Sequence, residues 1–439
     1  MAPSAIQPPP ALDARREVTK LTKEPLPAGL VRIPPSKLDL RSDDEIAALL
    51  QTRRPIVSDK NVWAFWHTGF QAMQPWNRRN IINWTRRLGP EWTVHVVDRV
   101  DGSPTNIFNY VDKSPQWFPR AFLENTMDGP SVGPHSGDLV RLPLLWLYGG
   151  VWMDAGTLLF RHIEDICWRE IEDPASPYEM AGFIIEMRPE IDTMLNGFIA
   201  TKRHNDFVRK WHEIYLELWR GENQEGGGGH KTNAAGFHKH PLLAHLPLLK
   251  PPVDKLNCPD LNVMTEAFND YLAHFLCFER LRTLVDDGKD ASGQDKFDGP
   301  EYYAKKMWFA PAMQELWAFQ QQTGWSGTRQ FELLNTHRDN KAQEKDDLWT
   351  QAESFVHEAL ANTATMKLSH GPAGALDSFL ADLWDSEEHQ DKDIAEGTFA
   401  AYLRYGSVHY DQIRVIEPVK PRTAGEYTLH AGYLEPKTM

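Results

Sequence analysis

The chain has 439 residues, 41% of them hydrophobic and 16 of them tryptophan, and its net charge at pH 7 is −14. This composition can build a sizeable core, which excludes a globally disordered chain. The acidic excess disfavours a protein that binds nucleic acid or an anionic membrane over its whole surface. By length alone, the chain corresponds to two or three domains, or to one large domain with extensions.

The N-terminal segment and the cysteines indicate where the protein resides. The first 18 residues contain prolines and charges but no apolar core, so they are not a secretory signal peptide. No apolar run reaches the roughly 18 residues that span a bilayer. Cys167, Cys258 and Cys277 show no paired metal-ligand spacing, and such a sparse, odd count is typical of a reducing compartment. We therefore expect a cytoplasmic protein without a membrane span, whose N-terminal segment is a disordered, proline-rich leader.

The first predicted elements form a β-α-β unit. Residues 61–67, NVWAFWH, are a continuous apolar run, which predicts a strand buried on both faces. Residues 75–90 begin with proline, end with Gly-Pro and carry apolar side chains at helical spacing, which predicts a helix. Residues 91–98 predict a second strand. A helix that connects two strands in this way implies a parallel sheet.

A second helix and a third strand follow. The helix is predicted over 136–150, with Ser136 as its N-cap and Gly149 as its end. Pro143 should kink it, because proline removes a backbone donor. The sequence VWMDAG then predicts a strand that ends at Asp154.

After two more strands, at 178–187 and 195–200, the pattern becomes mostly helical. A single packed helix is expected over 263–281, with His274 and Cys277 as ordinary residues rather than ligands. Three other segments are assigned from composition and pattern: a flexible glycine-rich loop at 225–233, a return strand within 364–371 and a solvated acidic stretch at 385–393.

Two motifs that could suggest a ligand are rejected. The glycine-rich loop ends in Lys231, but a phosphate-binding P-loop needs glycine directly before its lysine, and His230 stands there. His238, His240 and His245 fit no standard zinc spacing. Neither motif predicts a site.

Asp154 is the main candidate for chemistry. Ligands of α/β sheets bind outside the carboxyl ends of the strands, and Asp154 is predicted to lie there, directly before Ala155 and Gly156. Asp138 and Arg141 are three residues apart and share a face of the preceding helix. Such a pair is usually an ordinary intrahelical ion pair. This helix, however, leads into the strand of Asp154, so the pair is expected at the same site.

The stretch SGDLVRLPLLWLYGGVWMDAG resembles the signature of the capsular-polysaccharide-synthesis and sugar-binding-region glycosyltransferases. The family's pattern begins with Ser-x-Asp or Ala-x-Asp. An Arg follows three positions after that Asp, and Gly-Gly-(Val/Ile)-(Trp/Tyr)-x-Asp comes later. VWAFWHTG, MLNGFIATKRHNDFV and MKLSHG resemble further stretches of the family in the same order. The resemblance covers residues 60 to 220 best.

The resemblance implies a GT-A-like α/β fold, with a Rossmann-type mixed sheet flanked by helices and a mainly helical C-terminal extension. The chain is accordingly divided into a leader and polar segment (1–57), a donor-binding region (58–220) and an acceptor or lid region (221–439). The implied activity is transfer of a sugar from a nucleotide-sugar donor to an acceptor that the sequence does not identify.

The resemblance also implies roles for single residues. Asp154, Asp138 and Arg141 are the implied catalytic set, with Asp154 at the donor diphosphate or at a metal ion. The residues implied to bind substrate are Ser136, Gly150, Gly156, Asn196 and, near the nucleotide base, Trp66, His67 and Gly69. Trp66 could equally pack in the core, and Asn196 could equally cap the next element.

A metal ion is in question because family members usually have a second Asp where this chain has Gly156. Mn²⁺ or Mg²⁺ requires anionic oxygens. Here it could be held by Asp154, water and a later histidine such as His370, or take no part in the reaction. If a metal takes part, Gly156→Asp should be tolerated.

An alternative from another class remains open, because a fold does not fix a function. The scaffold could serve secondary metabolism as a tRNA-dependent, arginine-containing cyclodipeptide synthase, which uses aminoacyl-tRNA instead of a nucleotide sugar. The basic helix could then contact tRNA through Arg78, Arg79, Arg86 and Arg87, although the net acidity counts against this. A non-catalytic binding module is the least favoured interpretation.

Overall fold

The computed structural model describes residues 25–220, 230–250, 260–288, 297–338, 347–371 and 375–437. Most of the predicted leader and most of the predicted glycine-rich loop lie outside the described residues. Within the described ranges, each helix is too short or too polar to cross a bilayer.

The strands of the described residues form one central sheet and three small ones. In chain order they are β1 (Leu30–Arg32), β2 (Asn61–Phe65), β3 (Thr93–Val97), β4 (Gly150–Met153), β5 (Thr157–Leu159), β6 (Met180–Arg188), β7 (Ile191–Thr201), β8 (Leu284–Asp286), β9 (Phe297–Asp298), β10 (Met307–Pro311), β11 (Thr365–Lys367), β12 (Tyr410–Gln412) and β13 (Leu429–His430).

The α-helices lie between these strands and dominate the C-terminal half. In chain order they are α1 (Asp43–Leu50), α2 (Pro75–Leu88), α3 (Arg120–Leu123), α4 (Val132–Tyr148), α5 (Arg169–Glu172), α6 (Asp206–Leu218), α7 (Leu261–Tyr271), α8 (Ala273–Thr283), α9 (Gly299–Lys305), α10 (Ala312–Glu315), α11 (Ala318–Gln322), α12 (Gly327–Asn335), α13 (Asp347–Asn362), α14 (Leu380–Asp385) and α15 (Phe399–His409).

The central sheet has six strands in the order β10-β6-β7-β4-β2-β3. Strand β2 is parallel to both β3 and β4, whereas β7 runs antiparallel to β4 and β6. The mixed α/β sheet flanked by helices is therefore confirmed, and so is the parallel β-α-β unit formed by β2, α2 and β3. Strand β10, which lies beyond residue 220, pairs with β6 and completes the sheet.

Both faces of the sheet are covered, as the apolar run at β2 predicted. All five residues of β2 are buried, and successive side chains of a strand point to opposite faces. Trp63 packs in a cluster with residues of α4 and α6, whereas Val62 packs in a second cluster with residues of α2. A third cluster joins the C-terminal helices to β5 and β11.

Helix α4 begins earlier than predicted. It begins at Val132 after Ser131, so Ser136 lies inside the helix and does not cap it, because the helix starts a turn earlier than the polar pattern indicated. Gly149 ends the helix with a φ of +64°, as predicted. Pro143 lies within a continuous helix.

The single helix predicted over 263–281 is wrong, because two helices meet at Leu272. Their environments explain the break. Every residue of α8 is buried, whereas Asn269 is the one buried residue of α7. The apolar side chains still pack together across the break: Phe275, Phe278 and Leu281 lie in the core, and Phe268 and Leu272 pack against it, whereas Tyr271 is 48% exposed.

The acidic stretch at 385–393 is mostly exposed, as predicted, but the prediction is wrong for Asp393 at its end. Asp393 is 1% exposed and lies between two guanidinium groups. Its Oδ1 is 2.5 Å from Arg79 Nη2, and its Oδ2 is 2.6 Å from Arg404 Nη2. Charge patterning alone could not show this, because the partner Arg79 lies 314 residues away.

The same contacts bear on the tRNA alternative, which needs the arginines of α2 free for phosphate. Arg79 is bound to Asp393, Arg86 to Asp43, and the fully buried Arg87 to Asp411. Three of the four arginines therefore hold the protein together, and they do not form a basic surface.

We predict that Asp393→Asn lowers the free energy of unfolding by about 3–5 kcal/mol, because it leaves the buried Arg404 guanidinium without a counter-charge and Arg79 with Asp391 as its remaining carboxylate partner. Glu388→Gln, in an exposed part of the same stretch, should change it by less than about 0.5 kcal/mol. Urea unfolding of both variants measures the difference. Equal, small effects would show that the Asp393 carboxylate is solvated after all.

Candidate functional site

The carboxyl ends of three parallel strands meet at one edge of the central sheet. Trp66, His67 and Gly69 follow β2, Asp98 follows β3 and Asp154 follows β4. Backbone bonds join the first two loops, since Trp66 N donates to Val97 O at 2.9 Å and Arg99 N to His67 O at 3.2 Å. The edge predicted to bind ligands is thus present, with Asp154 on it.

The loop after β2 mixes core and surface residues. Trp66 is partly buried and packs against the core. His67 is partly exposed, and burial together with the Arg99 charge lowers the pKa of its imidazole. Gly69 has a φ of +89°, a conformation that favours glycine.

Asp154 makes two side-chain contacts. Its Oδ1 accepts a hydrogen bond from Trp152 Nε1 at 2.9 Å, and its Oδ2 lies 2.6 Å from Lys367 Nζ. The side chains of Lys367 and Asp154 are 21% and 27% exposed, so a ligand can reach the pair. The carboxylate is therefore held by one neutral donor and one cation.

Lys367 reaches this edge because the predicted return strand forms. Strand β11 pairs antiparallel with β5, which places Lys367 opposite Thr157, three residues after Asp154. His370 of this stretch was the residue expected to hold a metal ion, and Lys367 was not predicted to be at the site. The stretch itself was visible in the sequence, but its pairing with β5 was not.

Gly197 makes room for the pair. A Cβ at this position would lie 2.6 Å from Lys367 Nζ and 2.8 Å from Asp154 Oδ2, distances that real Cβ contacts do not show. Gly197 O also accepts a hydrogen bond from Asp154 N at 3.0 Å. Nothing in the sequence pattern marked this glycine, and a side chain there would force Lys367 Nζ and Asp154 Oδ2 to move.

The surrounding charges keep Asp154 ionised. Burial raises the pKa of this carboxyl, but the cations of Lys367 and Arg141 outweigh burial and bring it below its usual range. At neutral pH the edge therefore presents an anion and a cation in contact.

Asp138 and Arg141 form a buried ion pair behind Asp154. Arg141 Nη2 lies 2.7 Å from Asp138 Oδ1, and its Nη1 donates to the backbone oxygen of Asn196. The guanidinium also lies over the Trp152 ring, 4.8 Å from its centroid. Burial opposes ionisation of Asp138, but Arg141 together with His274 and His135 outweighs it, and the pKa falls to about 2. Through Trp152, the pair is connected to Asp154.

His274 belongs to the same cluster. Its Nδ1 is 3.1 Å from Asn196 Nδ2 and 3.9 Å from Asp138 Oδ1. Burial lowers the pKa of its imidazole to about 3, so it is neutral at physiological pH. The prediction that it is an ordinary helix residue missed these polar contacts. Asn196 lies within β7 and caps no helix.

Three residues implied to bind substrate have local structural partners. Ser136 is buried in α4, with its Oγ 3.8 Å from Met127 Sδ. Gly150 begins β4, at the end opposite Asp154, and a Cβ there would lie 2.2 Å from Asn61 O. Gly150 is a glycine because the neighbouring strand passes close by.

Gly156, which was also implied to bind substrate, has a packing reason to be a glycine. A Cβ would lie 2.5 Å from Leu368 O, and Leu368 N donates to Gly156 O at 2.8 Å. The expectation that Gly156→Asp is tolerated is contradicted, because the clash is with backbone that the β5–β11 pairing holds in place.

The arrangement does not match a divalent-cation site. Mn²⁺ and Mg²⁺ prefer several oxygen ligands, but the side-chain groups in contact with Asp154 are an ammonium and an indole N–H. His370 Nε2 instead lies 2.8 Å from Asp385 Oδ2, a hydrogen bond that raises the pKa of His370. Among the residues that the structure describes, no three His, Cys, Asp or Glu side chains are grouped to hold a metal.

Comparison with known proteins gives close relatives. Residues 39–225 match the family of capsular polysaccharide synthesis proteins. The chain is 61% identical, over the whole of both chains, to the O-glycosyltransferase braB of Annulohypoxylon truncatum. It is 42% identical to the glycosyltransferase afumC of Aspergillus fumigatus, covering 90% of this chain and 96% of that one. It is 40% identical to the O-glycosyltransferase PaGT of Phomopsis amygdali, covering 93% and 97%.

A solved structure, the PaToxG glycosyltransferase, aligns with 54% of this chain and 83% of its own. The TM-score is 0.28 and the identity 14%. A likeness of this size supports no inference about the fold.

We predict that His274 makes stability depend on pH. Its pKa of about 3 lies below the ordinary 6.5, so between these values the unfolded chain binds a proton that the folded chain does not. Stability therefore falls as pH falls through this window, by up to about 1.4 kcal/mol per pH unit. His274→Asn, which retains an acceptor near the Nδ1 position, should reduce this slope in urea unfolding between pH 6.5 and pH 4.5.

The control is His430→Asn, because the side chain of His430 is 64% exposed and should leave the slope unchanged. Equal slopes in the wild type and in His274→Asn would contradict a neutral, buried His274.

Proposed function

The chain belongs to the capsular polysaccharide synthesis family and is a glycosyltransferase, and on this premise we propose that it transfers a sugar from a nucleotide-sugar donor to a hydroxyl group. The acceptor class is suggested by two relatives that are named O-glycosyltransferases. We further propose a GT-A-type arrangement, in which the parallel strands carry the donor at their carboxyl ends.

The observation that carries this proposal is the charged cluster at that edge. Departure of a nucleoside diphosphate builds negative charge, which catalysis must stabilise. Lys367 lies at the edge in contact with Asp154, and Arg141 lies directly behind. This supports placing the donor diphosphate beside Lys367 and Asp154.

We place the nucleotide base near the loop after β2, as the resemblance implied for Trp66, His67 and Gly69. Asp98 is an unsuitable ribose ligand, although it follows β3. Its oxygens already accept hydrogen bonds from Val100 N, Ser103 Oγ and Thr105 Oγ1 at 2.9, 2.6 and 2.7 Å. The partly exposed residues after β2 are better placed.

In the proposed transfer, the acceptor oxygen bonds to the anomeric carbon while the bond from that carbon to the diphosphate oxygen breaks. The electron pair of that bond leaves with the nucleoside diphosphate, and the acceptor proton passes to a base or to water. Asp138 is a poor candidate for this base, because its pKa of about 2 makes it a weak proton acceptor. Its proposed role is to orient Arg141.

The donor class is tested by thermal shift with a panel of nucleotide sugars. A donor at about one hundred times its dissociation constant should add about 2.7 kcal/mol of stability. Arg141→Lys should weaken this shift, because an ammonium cannot reproduce the planar fork that holds Asp138 and Asn196. Arg209→Lys, in a partly exposed ion pair of α6, is the matched control. No shift with any nucleotide sugar, together with binding of aminoacyl-tRNA, would overturn the proposal.

We also predict that Gly197→Ala lowers kcat/KM about 10–100-fold, the scale of a displacement of about 1 Å at a reacting centre. The added methyl group overlaps Lys367 Nζ and Asp154 Oδ2 but leaves every charge in place. Gly133→Ala is the control, because a Cβ there meets nothing within 4 Å. Steady-state kinetics measures both variants. Full activity in Gly197→Ala would show that the Lys367–Asp154 geometry is irrelevant to transfer.

A further inference from the structure

We propose that the ammonium group of Lys367, held in place by Asp154, supplies the positive charge that stabilises the departing diphosphate, in the role that a divalent cation would otherwise have. The inference rests on the proposed nucleotide-sugar function. It deepens that function by assigning a residue and by removing the requirement for a metal ion.

The backbone around Lys367 is firmly placed. Lys367 pairs with Thr157 in the β5–β11 ladder, and its N donates to Leu316 O at 3.2 Å. Its O accepts a hydrogen bond from Gln320 Nε2 at 2.6 Å. A lysine side chain normally samples many rotamers, but here both its base and its ammonium group are fixed.

The ammonium group is anchored and still available. Lysine has three N–H donors, and the contact with Asp154 Oδ2 uses one of them. Because the Lys367 side chain remains 21% exposed, the other donors can reach phosphate oxygens of a ligand at the edge. Asp154 then acts as a positioning residue. Its carboxylate orients the Lys367 ammonium group and does not coordinate a metal ion.

The position of the Lys367 ammonium group, and not the net charge, favours an anionic ligand over a second cation at this edge. Asp154 and Lys367 cancel, and so do Asp138 and Arg141. A divalent cation at Asp154 would have to displace the Lys367 ammonium or lie next to it, and like charges at such distances repel. A diphosphate beside Lys367 is attracted instead, because its oxygens and the ammonium group carry opposite charges.

The position of Gly197 supports the same conclusion. Any side chain there would occupy the space of Lys367 Nζ and Asp154 Oδ2. One ammonium group is therefore held at the carboxyl end of β4 by three segments that are distant in sequence. These segments contain Asp154, Gly197 and Lys367.

In the transfer step, Lys367 forms hydrogen bonds to the diphosphate and exchanges no proton with it. The bond between the anomeric carbon and the diphosphate oxygen breaks, and its electron pair stays on that oxygen. The added negative charge strengthens the hydrogen bonds from the ammonium group, which lowers the barrier. Lys367 is thus a catalytic residue, because it touches the leaving group.

The test combines a chelator with variants of Lys367. Wild-type transfer from the donor identified by the nucleotide-sugar panel should be unchanged by EDTA. Lys367→Met, which keeps an unbranched side chain of similar length but loses the charge, should lower kcat about 100-fold or more, and Lys367→Arg should recover part of the loss. Lys305→Met is the control, because it removes an exposed lysine from a similar ion pair with Glu301.

Chemical rescue separates catalysis from folding. Activity of Lys367→Ala should rise with added propylammonium, which can place an N–H donor in the vacated space. Tetramethylammonium, a cation without N–H donors, should not restore it. A merely structural lysine would give no such difference.

The outcomes also separate the two proposals. Loss of wild-type activity in EDTA with recovery in Mn²⁺ would overturn the role of Lys367 and leave the donor class intact, and this arm requires no variant to fold. Equal activity of Lys367→Met and wild type would overturn it as well. If the wild type binds no nucleotide sugar under any condition, the proposed function itself fails.

Discussion

The contact between the Lys367 ammonium and the Asp154 carboxylate, 2.6 Å apart, joins two points of the chain that are 213 residues apart. Most of the local architecture follows from the need to make it. Strand β4 delivers Asp154 to the carboxyl edge of the sheet, and β11 delivers Lys367 by pairing with β5. Gly197 must lack a side chain for the two groups to touch. The C-terminal half is therefore part of the site as well as a cover for the sheet.

Behind this contact, a buried polar cluster sets the electrostatics. Arg141 is tied to Asp138 and Asn196 and lies over Trp152, whose indole N–H binds Asp154. Removing one partner of a buried ion pair leaves the other charge uncompensated, which is far more costly than the pair itself is stabilising. Such a cluster is consequently better suited to hold a geometry than to add stability. A fixed arrangement of charge at the strand ends is what transfer of a group with an anionic leaving group requires.

Local signals in the sequence predicted much of the fold, whereas long-range contacts were not visible. The apolar run of β2 and the Gly-Gly turn before β4 indicated the parallel unit and the position of Asp154. Lys367 was missed, because only the β5–β11 pairing places it at the site. Gly156 was expected to tolerate an Asp, whereas a side chain there would meet the backbone of Leu368. Asp393 was assigned to solvent, because its arginine partners are distant in sequence. Patterns of period two or 3.6 report which face is buried, but they do not report which polar groups meet there.

The central claim is that the Lys367–Asp154 pair receives the donor diphosphate without a metal ion between them. The most direct measurement is a crystal structure of the protein with a nucleoside diphosphate, grown in the presence of Mn²⁺ and examined for anomalous scattering. The account predicts phosphate oxygens at about 3 Å from Lys367 Nζ, with the contact to Asp154 retained and no manganese peak at the site. A manganese peak between Asp154 and the diphosphate, with Lys367 turned away, would contradict it.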